Sequence, residues 1–351
     1  VAKLADYHIR LRPGTNVAVL NMMLYFIIES KLHKEDFILS RTEGFEDFVK
    51  GIKKLDIDHL ANVAGVDKQQ VKEAAIAYAT AKNSMEFHGL GVTEQEQGSK
   101  TVMLIADLAM ITGNIGRPGV GVNPLRGQNN VQGAADMGCQ PHQGAGYFPV
   151  EDEKIQNFYT EKYGVVHPTK AGLKIPEIFD AAINKEVKAV WIIGEDVVQT
   201  DPNSAHVAKA MNSLDLLVVQ EIFMSETAKH ADVVLPGTTF LEKDGTFTNT
   251  ERRVQRVNSA VKPLPGTKPD GVIVTEMMQK LGYNQPIYDA DQVLAEIADV
   301  VPFFKGITRK RLGKLGLQWP VKEDGTDTKI LHQKEFKLGK GRIKYFDWKE
   351  S

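Results

Sequence analysis

Three apolar runs in the second half of the chain constrain the fold more than any other feature. Residues 187–193, apolar but for Lys188, close on Gly194-Glu195-Asp196; residues 214–220 close on Gln220-Glu221; a third run covers 232–235. Short runs without polar alternation suit strands of a parallel sheet covered on both faces. The segments around them have helical character: 175–184, a helix opening at Asp201-Pro202 and running to Met211, and 225–230. Proline favours the first helical position because its missing N–H has no partner there anyway. This β-loop-α repetition predicts an α/β fold with a doubly wound, mostly parallel sheet, which binds ligands beyond the carboxyl ends of its strands. Gly194, Asp196, Gln220 and Glu221 fall at those ends. An acidic residue there either accepts from a ribose hydroxyl or a guanine edge, or caps a helix, and the residues alone leave both readings open.

The first half is more helical. Residues 1–11 read as a short strand ending at Arg12-Pro13-Gly14, after which Thr15 or Asn16 can cap an apolar helix to about Lys31. A second helix is expected over 33–55. A third follows Asp67, with Gln70 at the capping-box position. Residues 85–92 read as a buried strand, and about 97–112 as a helix ending at Thr112-Gly113. Residues 140–163 show little periodicity. Residues 238–262 turn polar and extended, helices are expected near 270–281 and 290–299, and the tail from 303 looks basic and irregular.

Composition narrows the functional classes. The chain has 351 residues, 42% hydrophobic and 25% charged, with a formal net charge of -2. That size predicts two or three domains, and the charge balance leaves no basic footprint for nucleic acid. The longest apolar run, 17–28, is interrupted by Asn21 and is too short for a bilayer, so no transmembrane segment is expected. One cysteine, Cys139, allows neither an internal disulfide nor a multi-cysteine metal site, which points to a reducing, cytoplasmic setting. The opening VAKLADYHIR reads like mid-domain sequence, so the chain is expected to be a piece of something larger.

The densest chemistry lies in residues 122–138, VNPLRGQNNVQGAADMG. Gln128, Asn129, Asn130 and Gln132 offer uncharged donors and acceptors, the glycines allow close backbone approach, and Arg126 is a planar cation suited to a carboxylate or phosphate. Such a loop suits a polar heterocycle and one small anion. Residues 87–94, FHGLGVTE, place Gly-x-Gly at a strand end. The third glycine of a dinucleotide fingerprint is replaced by Glu94, so the motif is a tight turn or a backbone contact to a ligand. Residues 243–253, KDGTFTNTERR, could serve a phosphate-bearing ligand or form a solvated hairpin. His88, His142, His206 and His230 do not fall at metal-ligand spacings and are read as structural or exposed, and no metal ligand is expected in this chain.

These segments resemble the catalytic subunit of molybdenum- or tungsten-dependent formate dehydrogenases, members of the bis-(molybdopterin guanine dinucleotide) oxidoreductases. The likeness runs through RTEGFEDF, ITGNIGRPGVGVNPLRGQNNVQGAADMG, IIGEDVVQTD, VVQEIFMSETAKHADVVLPG and EKDGTFTNTERRVQR, in that order along the chain. The RGQNNVQG form is similar to the formate branch; related nitrate reductases carry a smaller residue where Arg126 stands.

The resemblance implies two pterin guanine dinucleotides around one Mo or W and oxidation of formate to CO2. It implies that Arg126 pairs with the formate carboxylate, and that Gln128 lines the pterin and active-site region. Gly14, Thr15 and Asn16 match a segment contacting one guanine nucleotide, with Asn16 where Asp is common. Leu90 and Glu94 match positions near the same cofactor, where the family usually has Met and Gln. Asp196, Thr200, Gln220, Glu221, Lys243 and Asp270 match contacts to the other dinucleotide, beside Gly194 at its strand end. The 4Fe-4S cysteines, the Cys or selenocysteine metal ligand and a catalytic His lie upstream in the family, and a covering domain lies downstream. The chain is then a central fragment, inactive alone, that needs those segments and electron-transfer subunits. The implied domains are 1–128, 129–239 with 269–290, and a small domain from 240–268 and 291–351. Other readings are an oxidoreductase of the same family acting on another small oxyanion, or a non-catalytic guanine-nucleotide-binding module.

Overall fold

The computed structural model describes residues 2–350, which fall into two compact units: residues up to Gly127 together with those from Lys329 on, and Gln128–Thr328. The first unit contains helices α1 (Asn16–Glu29), α2 (Glu35–Arg41), α3 (Phe45–Ile52), α4 (Ile57–Ala64), α5 (Lys68–Thr80), α6 (Leu90–Thr93) and α7 (Gly98–Ile111). Its strands up to Gly127 are β1 (Thr42–Glu43), β2 (Met85–His88) and β3 (Gly121–Pro124). Helix α1 is apolar almost all round because it serves two cores. Val17, Leu24, Ile27 and Ile28 meet Phe48, Ile52, Leu104 and Leu108, while Ala18, Val19 and Met22 meet Leu60, Ala61, Ala64 and Val71. Asp67 caps α5 by accepting the Gln69 N–H. Strands β2 and β3 pair in parallel, with His88 opposite Pro124.

Expectations fail at several points in this unit. Of the strand expected over 1–11, the described residues 2–11 form none: Ala2–Leu4 is a 3-10 turn, and Arg12 is held by donating its N–H to the Ala64 carbonyl and its guanidinium to Asn62 and Val63 carbonyls. These carbonyls cluster at the C-terminal end of α4, where a cation is favoured. The strand expected over 85–92 stops at His88, since Gly89 turns the chain into α6.

The second unit runs α8 (Val131–Asp136), β4 (Gln143–Gly144), β5 (Phe148–Pro149), α9 (Glu153–Tyr163), α10 (Ile175–Ile183) and β6 (Ala189–Ile193). It continues with α11 (Val197–Thr200), α12 (Ser204–Ser213), β7 (Leu216–Glu221), β8 (Val233–Pro236), β9 (Gly245–Thr248) and β10 (Arg253–Val257). Last come α13 (Asp270–Lys280), α14 (Ala290–Val300), α15 (Arg309–Leu312) and β11 (Leu317–Gln318). Strands β6, β7 and β8 form the expected parallel sheet in that order, with Ile192, Leu217 and Val219 packed on Phe179, Val207 and Met211 of the flanking helices. The polar stretch beyond it folds as an antiparallel β9–β10 hairpin extended by β11. Two details depart from expectation. Residues 153–163 are helical, because Asp152 caps the segment and Tyr159 is buried against Val301 and Phe304. The helix expected to open at Asp201-Pro202 starts at Ser204: Asn203 takes the left-handed conformation (φ 61°) and its side chain accepts from the His206 N–H at 3.3 Å.

The C-terminal stretch returns to the first unit as β12 (Gly341–Arg342), pairing in parallel with β1. That pairing explains why the helix expected over 33–55 is split. Thr42-Glu43 is drawn into a ladder with a segment about three hundred residues away, and Gly44 at φ 86° restarts the chain as α3.

Candidate functional site

The carboxyl ends of β6, β7 and β8 gather the residues expected at one site of the second unit. The Gly194 N–H donates to the Gln220 carbonyl at 2.9 Å, tying the ends of β6 and β7 together. Just past β6, Asp196 accepts from the Thr227 N–H at 2.9 Å, the Thr227 hydroxyl at 2.7 Å and the Glu226 N–H at 3.3 Å. Burial works against its charge, but these donors and the Lys229 cation outweigh that and hold the carboxyl below the ordinary range. Asp196 makes no cap bond to α11, whose N-cap position it holds; its carboxylate is taken up by the start of the 3-10 turn at Thr227–His230. Thr200 donates to Glu195 at 2.7 Å, and Glu221 accepts from the Ile222 N–H at 2.7 Å.

One position along the sheet, the geometry is different. Gln220 is 1% exposed; its Nε2 donates to Asp270 Oδ1 at 2.7 Å, and its Oε1 is buried without a partner. Asp270, the first residue of α13, also pairs with the Lys243 ammonium, which donates in addition to the Thr238 carbonyl at 3.2 Å. Thr238 is itself buried, with its hydroxyl unpartnered. A Cβ at Gly237 would stand 3.0 Å from Asp270 Oδ1, so a side chain there would crowd the carboxylate. Three residues far apart in sequence, Gln220, Lys243 and Asp270, therefore form one connected polar group at the carboxyl edge. Each buried orphan costs about 1–3 kcal/mol. Such atoms in a folded protein call for a ligand or an ordered water to satisfy them. An acceptor, a hydroxyl and a lysine at this edge fit a nucleotide-bearing ligand. Thr238 carries no sequence signal; only the fold brings it here.

The first unit holds the remaining residues. Gly14 (φ 80°), buried Thr15 and Asn16 make the turn into α1. Thr15 occupies the N-cap position, yet its hydroxyl turns back to donate to the Arg12 carbonyl at 2.6 Å and makes no side-chain cap bond. At the carboxyl edge of β2 and β3, Leu90 is 61% exposed and Glu94 is exposed at the end of α6. Arg126 is exposed two residues beyond β3. Beside it lies a residue that the sequence reading set aside. His88 is 8% exposed with Nδ1 buried and unpartnered. Burial, and secondarily the Arg126 charge, hold its imidazole below the ordinary pKa. A histidine off metal spacing gives no sign that parallel pairing will set it beside an arginine.

Gln128 and Asn129 are exposed at the start of the second unit. The amides after them are committed internally. Asn130 accepts the Thr248 N–H at 2.8 Å, and Gln132 donates to Asp136 and Tyr147, each at 2.9 Å. Asp136, fully buried, accepts from the Tyr147 hydroxyl at 2.7 Å and the Trp319 indole at 2.8 Å. Of the polar side chains expected to face a ligand, Asn130 and Gln132 are thus taken up inside the second unit.

Residues 2–280 match the family model described as Molybdopterin oxidoreductase. The chain belongs to that family. It is 45% identical over 348 residues to the F420-dependent formate dehydrogenase subunit alpha of Methanocaldococcus jannaschii, a match covering 98% of this chain and 51% of that protein. It is 39% identical over 354 residues to formate dehydrogenase H of Escherichia coli, covering 99% and 50%. Among solved structures, acetylene hydratase from Pelobacter acetylenicus superposes with a TM-score of 0.68 at 21% identity, over 88% of this chain and 45% of that one; this shows the shared fold. The chain spans about half the length of the curated relatives it matches. No helix among the described residues is long and apolar enough to cross a membrane.

Proposed function

We propose that this chain is the central part of a formate dehydrogenase catalytic subunit, working in the cytoplasm on the reaction HCOO⁻ → CO2 + H⁺ + 2e⁻. The observation that carries the reading is the identity to formate dehydrogenase alpha subunits across nearly the whole chain. Arg126 at the β2–β3 edge supplies a cation of the kind a carboxylate substrate needs. Its planar fork orients a small carboxylate, and one charge-assisted contact of this kind is worth about 1.5–3 kcal/mol.

The cofactor in this reading is bis-(molybdopterin guanine dinucleotide) with Mo or W, which when bound supplies the two-electron redox centre. Gln220, Lys243, Asp270 and Thr238 hold one dinucleotide at the β6–β8 edge, with Gly194, Asp196, Thr200 and Glu221 shaping that edge. Gly14, Thr15, Asn16, Leu90 and Glu94 serve the other, and Gln128 lies beside the pterin. Residues outside this chain supply the metal ligand and a 4Fe-4S cluster, and separate subunits take the electrons onward. The domains in this reading are 1–128, 129–239 with 269–290, and a small domain of 240–268 and 291–328; residues from Lys329 on, expected in that small domain, pack with the first unit instead.

The test is Arg126→Ala in the full subunit containing this chain. Formate turnover, kcat/KM, is expected to fall at least about tenfold, with the pterin and guanine content of the purified protein unchanged. Unchanged formate kinetics overturn the role of Arg126. A subunit that ignores formate but reduces another oxyanion overturns the substrate.

A further inference from the structure

His88 and Arg126 are brought together by backbone. His88 ends β2 and Pro124 ends β3, and the two are register partners in a parallel pair, so both chains leave the sheet at the same edge. The Leu125 N–H is then tied to the His88 carbonyl at 2.7 Å, and Arg126 emerges one residue further on. His88 Nδ1 is buried without a partner, a cost of about 1–3 kcal/mol that a neighbouring hydrogen-bonding ligand can offset. Charged groups also lie on the elements packed around it: Glu86 on β2, Glu94 at the end of α6, and Lys100 and Asp107 on α7. Only the Arg126 charge registers at the imidazole. Glu86 is engaged by the Tyr78 hydroxyl, and Asp107 by the Lys344 N–H at 3.3 Å.

We propose that His88 is a second binding group of the small-anion site that Arg126 anchors, its imidazole sharing a small monoanion such as a one-carbon carboxylate with the guanidinium. This rests on the proposed role of Arg126. A guanidinium attracts an anion; a nearby ring N–H adds a second direction and so narrows the anion's orientation. An anion seated there also offsets the Arg126 field at the ring and makes His88 easier to protonate. By reciprocity the anion binds more tightly as pH falls through the His88 titration, about tenfold for each pH unit by which the anion raises it.

The experiment is an NMR titration of the His88 ring in this chain and in Arg126→Gln, each with sodium formate and with sodium chloride at equal ionic strength. Arg126 is exposed, and the folding of Arg126→Gln is checked by its circular dichroism and melting temperature. Without formate, His88 is expected to titrate below the ordinary histidine range and to move upward in Arg126→Gln. Formate, and not chloride, is expected to raise the His88 titration by about one pH unit in the parent chain alone. In His88→Gln, formate binding followed at the Arg126 side-chain signals should lose its pH dependence between about pH 5 and 8. An unchanged titration in Arg126→Gln, or chloride acting as formate does, overturns the proposal. Formate that perturbs Arg126 but not His88 also overturns it and leaves the Arg126 reading standing. Formate that perturbs neither group overturns both.

Discussion

Asp107 carries the plainest pH dependence at the scale of single residues. It sits in α7 at 1% exposure, and burial raises its pKa to about 8, opposed by the hydrogen bond it accepts from the Lys344 N–H. A raised folded-state pKa means that the folded chain holds the proton more tightly than the unfolded one. The stability from this group is fully present below about pH 4 and is lost as pH rises through about 8, at up to about 1.4 kcal/mol per pH unit. Asp107→Asn keeps an acceptor for Lys344 and should flatten that decline in urea melts taken from pH 4 to pH 8. Glu86, raised to about 7 mainly by burial, leaves a slope of the same sign over a narrower range that ends near pH 7. A slope unchanged by the substitution would show that Asp107 titrates normally. At the other edge, Lys243→Met leaves Gln220 bonded to Asp270 but removes the cation. Affinity for guanosine monophosphate, measured by calorimetry on this chain, should drop about ten- to a hundredfold with little change in melting temperature. Equal affinity in parent and variant would remove Lys243 from the nucleotide site.

Among the elements, α12 shows how local chemistry shifts a boundary. Pro202 signalled a helix start, but Asn203 is the residue that tolerates positive φ and can cap with its own side chain. Asn203→Ala should cost about 1–2 kcal/mol through the lost cap and the left-handed backbone, whereas Asn203→Gly should cost only a few tenths. Equal losses for the two, in thermal melts, would mean the backbone conformation is not what the residue supplies. The strands β6, β7 and β8 and helices α1, α5, α7, α10, α13 and α14 were legible because each carries its own apolar period. Strand β1 and helix α9 were not. The first is two residues long and exists through its partner, and the second is polar with one buried tyrosine.

For the molecule as a whole, the C-terminal segment is part of the first unit's core. Asn21 donates to the Phe346 carbonyl at 2.9 Å, Gln97 to the Asp347 carbonyl at 3.2 Å, and the Trp348 indole to the Gly14 carbonyl at 3.1 Å. Removing residues 341–351 strands Asn21, Gln97 and Asp107 and exposes the apolar surface under Ile343. The first unit should lose at least about 3 kcal/mol, with faster hydrogen exchange in α1 and α7 and unchanged protection in the β6–β8 sheet. Unchanged exchange in α1 would mean the segment is dispensable. The sequence by itself determined the α/β class, the parallel sheet, the family and the candidate residues at strand ends, because apolar periods, turn residues and motif order are properties of contiguous chain. Only the tertiary structure decided which of those residues meet. Gln220, Lys243 and Asp270 converge, Asn130 and Gln132 turn inward, His88 comes beside Arg126, and the tail clasps α1 and α7. Those outcomes depend on pairings and burial between distant segments, where a polar side chain is placed by whichever partner satisfies it at least cost.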